Sequence, residues 1–451
     1  MTRKAIDNLH QVDSHTNLIG HPSQDVYLQR TQLSCLFEAL FGMASHRLTR
    51  RPPDFVVFAA GQGVSAAGMW MQKTTLGWLA WELTHSPAWV GTLALTELFA
   101  AVVVTPFAGA MTDRTNAFRL ILATQAAMLA VPLALVASLL AGTLTIWALL
   151  IFALVDSVTQ AFNQPVRMSI IGALAGRDRL PQAVASNSIA FNLARALGPA
   201  IAGMILLKTG EAAAVFTAVI PAYAAMLLVL AVLRMKLNRA APPPSGTNLF
   251  GEITDGCRYV LATPSLLVVF LMAVTFSLLG RPFTELFPAI AGQTFQGGPD
   301  VLSALMSAQG VGALVGGLIM LKPRTLPALA LVTLVGGLTM CASLMVFSVA
   351  GGVTLALALM AVAGLGHVIC NIGMQSLIQS SAGYRMRGRV IALYGLIFRG
   401  GPALSAAMLG LAAEWISLQH LIGACAMLCA VFMLGIGAVS RSIFLRPAPA
   451  E

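Results

Sequence analysis

Twelve apolar segments, separated by short polar breaks, fill about 390 residues from Phe55 to Ser442, and this pattern fixes the solvent in which the chain folds. An apolar run of roughly 20 residues crosses a bilayer as a helix. In lipid every backbone polar group must be satisfied internally, so only helices and closed barrels can span, and these runs are too long for barrel strands. The composition, 57% hydrophobic and 10% charged, agrees. The expected fold class is an all-α membrane protein with twelve transmembrane helices.

The spans are expected at 55–83, 89–112, 118–141, 145–166, 183–207, 212–235, 264–290, 301–321, 326–348, 352–379, 389–413 and 418–440. Ser86-Pro87, Gly142-Thr143, Gly210-Glu211, Gly297-Gly298-Pro299 and Gly351-Gly352 mark breaks between them. With the N-terminus cytoplasmic, 22 of the 27 basic residues fall in the two tails and the inner loops, while the outer loops hold only Lys208. The excess of Lys and Arg on one side orients such proteins with that side inward. Both termini are therefore expected in the cytoplasm, in the plasma membrane, the inner membrane of a bacterium. The net charge of +10 is this asymmetry and gives no reason to expect a nucleic-acid partner.

The first 54 residues are polar, with no apolar core for a signal peptide. They are expected to be a tail, disordered or, up to Met43, not translated. A second polar stretch, 236–263, contains Pro242-Pro243-Pro244 and separates six spans from six. The expected organisation is a tail 1–54, a six-helix bundle 55–235, a cytoplasmic linker 236–263, a second six-helix bundle 264–440 and a tail 441–451. The halves repeat one another. Ala175-Gly176-Arg177-Asp178-Arg179 corresponds to Ala382-Gly383-Tyr384-Arg385-Met386, and Arg195-Ala196-Leu197-Gly198-Pro199 to Arg399-Gly400-Gly401-Pro402. Duplicated bundles of this kind are the architecture of secondary transporters that rock about a site at the midplane.

Three motifs carry a family resemblance. Gly109-Ala110-Met111-Thr112-Asp113-Arg114, followed by Arg119, lies between the second and third spans. Gly198, Pro199 and Gly203 lie in the fifth. Arg387-Gly388-Arg389-Val390 precedes the eleventh. In this duplicated context the chain resembles the major facilitator superfamily, and within it the drug and siderophore exporter branch. The first motif departs from the family pattern after Arg114, where Asn116-Ala117-Phe118-Arg119 replaces a more basic run, and Ala194 stands where the fifth-span motif has a glycine. The resemblance implies two pseudo-symmetric six-helix bundles that export an amphipathic small molecule, a drug or a siderophore, by alternating access in exchange for protons. It further implies that Gly109, Asp113, Arg114, Arg119 and Arg167 latch the halves, and that Gly198, Pro199 and Gly203 form an antiporter-type Gly-Pro motif. A lipid carrier of the same superfamily, or a membrane partner that keeps the fold without transport, are the alternatives.

Charged residues inside spans cost several kcal/mol each and point to function. Asp156, about eleven residues into the fourth span, and Arg195, at similar depth in the fifth, can form a buried pair, or Asp156 can carry a proton. Glu97 in the second span is the other candidate for coupling. Arg195 and Arg399 suit a cavity for an anionic substrate, and Gln72, His367 and Asn371 are further cavity candidates. Arg281 and Glu285 are spaced for a local i,i+4 ion pair, and His367 and Asn371 for a hydrogen bond. Trp70, Trp78 and Trp81 suit membrane-interface anchors. The six cysteines have neither disulfide nor zinc spacing. No phosphate-binding loop, hydrolase triad or HExxH motif is present. The chain is expected to be no enzyme, to hold no metal or cofactor, and to work as a monomer with protons, membrane lipid and a small molecule as partners.

Overall fold

The computed structural model describes residues 53–176, 180–237, 249–322, 324–383 and 386–444. Among them every element is helical. The tail expected at 1–54 lies almost wholly outside the described residues, as do the centre of the linker and the last seven positions.

The first half comprises α1 (Pro53–Thr84), α2, α3 (Ala117–Leu140), α4 (Ile146–Ala175), α5 (Leu180–Thr209) and α6 (Ala212–Leu237). Within α2, Pro87–Phe99 continues through a π turn, Ala100–Val104, into Thr105–Arg114. Local chemistry sets the starts. Pro87 occupies the first turn of α2, where its missing N–H costs nothing. The Asn116 side chain accepts from the backbone N–H of Phe118 and Arg119 at 2.9 and 3.2 Å, which starts α3. Thr145 caps α4 in the same way.

A connecting helix follows, α7 (Leu249–Ala262), bent by 110° from α8, which begins at Pro264–Thr275. Asp255 of α7 pairs with Arg389, and Tyr259 accepts from Gly383 N–H, so α7 is tied to the loop and helix that follow α11. The second half continues with α9 (Pro299–Ile319), α10 (Leu326–Phe347), α11 (Val353–Ser381), α12 (Arg387–Ala412) and α13 (Leu418–Phe444).

Among the described residues, ten helices are long and apolar enough to cross a membrane, eleven if the bent pair counts as one span. The 32-residue α1 has the length, and Gln62, Gln72 and Lys73 lower its apolarity. The seventh span departs from expectation. A continuous helix over 264–290 was read from its length, but α8 passes into a π turn at Phe276–Gly280. It then breaks into a 3-10 turn (Pro282–Thr284), a single turn (Phe287–Ala289) and a second π turn (Ile290–Thr294). Pro282 and Pro288 each remove a backbone donor within seven residues of one another, and the helix breaks around them.

Packing within the first half joins α1 to α5 and α6, and α3 to α4 and α6. Within the second, α11 packs on α9 and α10, and α13 on α8 and α10. The halves meet through α2 with α12 and through α5 with α9, two crossings that the duplication relates to each other. Both are tight towards the end opposite the basic loops. A Cβ on Gly91 would sit 2.5 Å from the Ala406 carbonyl oxygen, and one on Gly410 would sit 2.4 Å from that of Pro87. Ser86 donates to Glu414 at 3.0 Å beside this contact, and Gly203 of α5 lies hard against Ser303 of α9. Towards the basic end, no atom of another described element lies within 4 Å of where a Cβ would sit on Gly109 of α2 or on Gly388 and Gly395 of α12. The hydrophobic core reports the same asymmetry. One cluster runs through both halves, while a second, including Phe55, Phe58, Ile121, Ile170 and Leu230, lies wholly in the first half.

Candidate functional site: a charge cluster between the halves

Lys73, 20 residues into α1, lies between two carboxylates. Its Nζ is 2.6 Å from Glu97 Oε1 of α2 and 3.2 Å from Glu285 Oε2, in the broken stretch after α8. One ammonium thus ties the first half to the second. Glu97 is not the isolated carboxylate that its position in the sequence suggested. Glu285 is not paired with Arg281 either. The break after Gly280 removes the i,i+4 geometry, and Arg281 turns to α12, donating to the Phe398 carbonyl at 2.6 Å with its guanidinium 3.8 Å from the Phe398 ring centroid.

Asp156 is buried, but Arg195 is not its partner. Its two oxygens accept from amides, Gln72 Nε2 at 2.9 Å and Gln160 Nε2 at 3.2 Å. The first bond crosses from α1 to α4, the second is an i,i+4 contact within α4. The Gln72 Oε1 atom is buried and has no donor. Arg195 instead lies over the Trp70 ring, 5.4 Å from its centroid, and Lys73 lies 5.6 Å from the same ring. Trp70 is therefore no interface anchor. It packs edge-on against Phe191, which in turn carries Arg167 at 5.7 Å. Trp78 and Trp81 are buried as well. Arg399 is exposed, within electrostatic reach of Glu97 and Arg167.

His367 is buried between the rings of Phe276 and Phe398, and its Nε2 has no partner. It does not bond Asn371. Tyr394 of α12 supplies that donor, its hydroxyl 2.6 Å from Asn371 Oδ1. Of the expected latch, Gly109 sits in open space near the end of α2, Arg119 is exposed at the start of α3, and Arg167 is buried against Phe191. The side chains of Asp113 and Arg114 lie outside those described. In the Gly-Pro motif, a Cβ on Gly198 would meet Trp70 Cβ at 2.6 Å, so this glycine lets α5 close onto α1 directly beneath the cluster, with Pro199 beside it inside α5.

The structure thus brings together Gln72, Glu97, Asp156, Arg195 and Arg399, and adds Lys73, Glu285, Trp70 and Gln160. Glu285 could have been found from the prolines that flank it. Gln160 gave no signal beyond its spacing from Asp156.

Two helical halves that meet at one end over a shared charge cluster define a membrane transporter of the major facilitator type. The chain belongs to the transmembrane secretion effector family of that superfamily, whose model matches residues 51–442. It is 23% identical over 268 residues to the staphyloferrin A transporter of Staphylococcus aureus, covering 59% of this chain and 66% of that one. It is 21% identical over 266 residues to macrolide efflux protein A of Streptococcus pyogenes, covering 59% and 65%. Each match spans just under two thirds of the relative's length. Among solved structures, a bacterial homolog of the human lysosomal transporter Spinster, in an inward-facing and unoccupied conformation, superposes with a TM-score of 0.64 at 16% identity, over 88% of this chain and 99% of that one.

Proposed function

We propose that this protein exports an amphipathic small molecule by alternating access in exchange for protons. The working units are the two halves, 55–235 and 264–440, in a single chain in the bacterial inner membrane, with the basic loops and both termini in the cytoplasm. The observation that carries the reading is the Lys73 bridge. A charge cluster shared by α1, α2 and the segment after α8 lies below a closed contact between the halves, and among the described residues Gly109, Gly388 and Gly395 near the basic end make no such contact. Parting the halves at the closed end must separate Glu285 from Lys73, while Glu97 stays with it. A transporter that changes its charge partners as it changes access has the means to couple one to the other. The names of the relatives, a siderophore transporter and a macrolide efflux protein, support export of a drug or siderophore.

Asp156 is the proposed proton carrier. It is a buried carboxylate with neutral donors and no cation in contact, so either protonation state leaves its hydrogen-bond partners in place. Gly109, Asp113, Arg114, Arg119 and Arg167 form the proposed latch at the basic end when that end closes. Purified protein in proteoliposomes, with a pH gradient imposed across the bilayer, tests the proposal on a fluorescent macrolide and on a siderophore. The gradient should drive transport in the wild type. Asp156→Asn should lose that dependence and keep exchange down the substrate's own gradient. Gradient-driven transport at the normal rate in Asp156→Asn would remove Asp156 from coupling and leave Glu97.

A further inference from the structure

Every carboxylate in the cluster has a partner, and two of the cations do not. Glu97 and Glu285 share Lys73, and Asp156 accepts from two amides. Arg281 donates to a carbonyl and stacks on a ring. Among the described residues, Arg195 and Arg399 have no carboxylate within contact distance. Arg195 rests on Trp70, and Arg399 is exposed. They extend the Lys73 bridge at both ends. Arg195 is within electrostatic reach of Glu285, and Arg399 of Glu97. The order is Arg399, Glu97, Lys73, Glu285, Arg195, alternating in sign and positive at both termini. With Arg281 and Asp156, which lie within reach of the same groups, four cations face three carboxylates, a surplus of one cation. The guanidinium is also the side chain whose fork fits a carboxylate or phosphate oxygen pair. Beside Arg195, Trp70 Nε1 is buried without an acceptor, and Trp70 and Phe191 offer aromatic surface.

We propose that the transported molecule is an aromatic or otherwise amphipathic organic anion, whose carboxylate groups complete this chain between Arg195 of α5 and Arg399 of α12. The assignment rests on the charge cluster being the transport site of the proposed exporter. It gives each half one arginine for the substrate, so a bound dianion holds the halves together from the open side. It also sets a charge preference that neither relative's name contains.

The test uses the full chain in phosphatidylcholine nanodiscs and two probes that share a fluorophore, dansyl-glutamate as dianion and dansyl-cadaverine as cation, with binding read by anisotropy. Dansyl-glutamate should bind at least about tenfold more tightly. Arg195→Gln and Arg399→Gln should each weaken it roughly tenfold to a hundredfold, as expected for loss of a charged hydrogen bond. Arg195→Lys and Arg399→Lys, which keep the charge, should recover much of the loss, which a folding defect would not allow. Equal binding of the two probes, preference for the cation, or unchanged anion affinity in both Gln variants would overturn the assignment. So would loss of dansyl-glutamate binding when phosphatidylglycerol replaces a third of the lipid, because the arginines would then hold an anionic headgroup. Binding is read at equilibrium without a gradient. A protein that selects the anion and fails to move it refutes the exporter reading alone.

Discussion

The contact between α2 and α12 is tight enough that one methyl group should change the resting state. In Gly91→Ala the new carbon would lie 2.5 Å from the Ala406 carbonyl oxygen and 2.8 Å from Ala407 Cα, where ordinary contact begins at 3.4 Å. The atoms in the way are backbone, so no side chain can swing aside, and the helices must part by about 0.9 Å. Overpacking of this kind costs about 1–3 kcal/mol. That cost falls on the arrangement closed at this end and not on one in which the helices have separated. The ratio of closed to open should therefore drop by about five- to 150-fold, since 1.4 kcal/mol is tenfold. A minor state of a few per cent would become substantial or dominant. Spin labels at Leu140, the last residue of α3, and Val349, after α10, report the change without touching the contact, because both side chains are 77% exposed. The expected result is a longer distance between the labels in Gly91→Ala than in the wild type, in protein that remains folded and monodisperse. An unchanged distance distribution would show that the helix contact does not hold this end closed, and the link between these glycines and access would fall.

Three further substitutions probe the cluster and its surroundings. Lys73→Met strands Glu97 and Glu285, and should lower stability by about 3 kcal/mol, the low end for a broken buried pair because the lysine and Glu97 are 34% and 38% exposed; thermal unfolding should show partial recovery in Lys73→Met with Glu285→Gln, and absence of recovery would mean the bridge is not what the lysine supplies. Tyr394→Phe leaves Asn371 Oδ1 without its 2.6 Å donor and should cost about 1–2 kcal/mol in the same assay, an unchanged midpoint arguing that water replaces the hydroxyl. Asp255→Asn removes one partner of an exposed ion pair and should change stability by less than about 1 kcal/mol, a larger loss indicating that α7 is held to α12 chiefly through Arg389.

The helices were legible in the sequence because lipid admits so few alternatives: an apolar run of the right length must be helical, and breaks such as Ser86-Pro87 and Gly142-Thr143 marked where one helix gives way to the next. The repeat of the Arg195 and Arg399 segments led to the expectation that both arginines share one site, and the structure puts Arg195 within electrostatic reach of Glu285 and Arg399 within reach of Glu97. The partners were not legible, and each failure has a cause. The Arg281–Glu285 pairing assumed regular helix across Pro282. The His367–Asn371 bond ignored Tyr394, which lies on another helix and gives the shorter, stronger contact. The pairing of Asp156 with Arg195 followed from opposite charge at similar depth in successive spans, whereas two glutamine amides satisfy a carboxylate without burying a second ion, and one of them, Gln72, lies 84 residues away in sequence. Lys73 was visible as a polar residue in an apolar segment, but no pattern indicated that its two carboxylates come from opposite halves.

The broken segment after α8 has a consequence for how the chain enters the membrane. Pro264–Gly280 is 17 residues of continuous helical backbone, about 25 Å at 1.5 Å per residue, short of the roughly 30 Å hydrocarbon layer. The remaining depth is covered by turns, whose backbone groups lipid cannot satisfy. In the folded protein they are shielded, with Phe283, Leu286, Phe287 and Ile290 all buried. During synthesis, however, this segment leaves the translocation machinery before α9 to α13 exist. Its only finished neighbours are those of the first half, and α1, with Gly77 against Pro288 and Trp81 against Gly292, is the one that receives it. A segment too irregular to face lipid alone is thus expected to fold against a helix that is already in place. Assembly of the second half begins on a surface that the first half has already built.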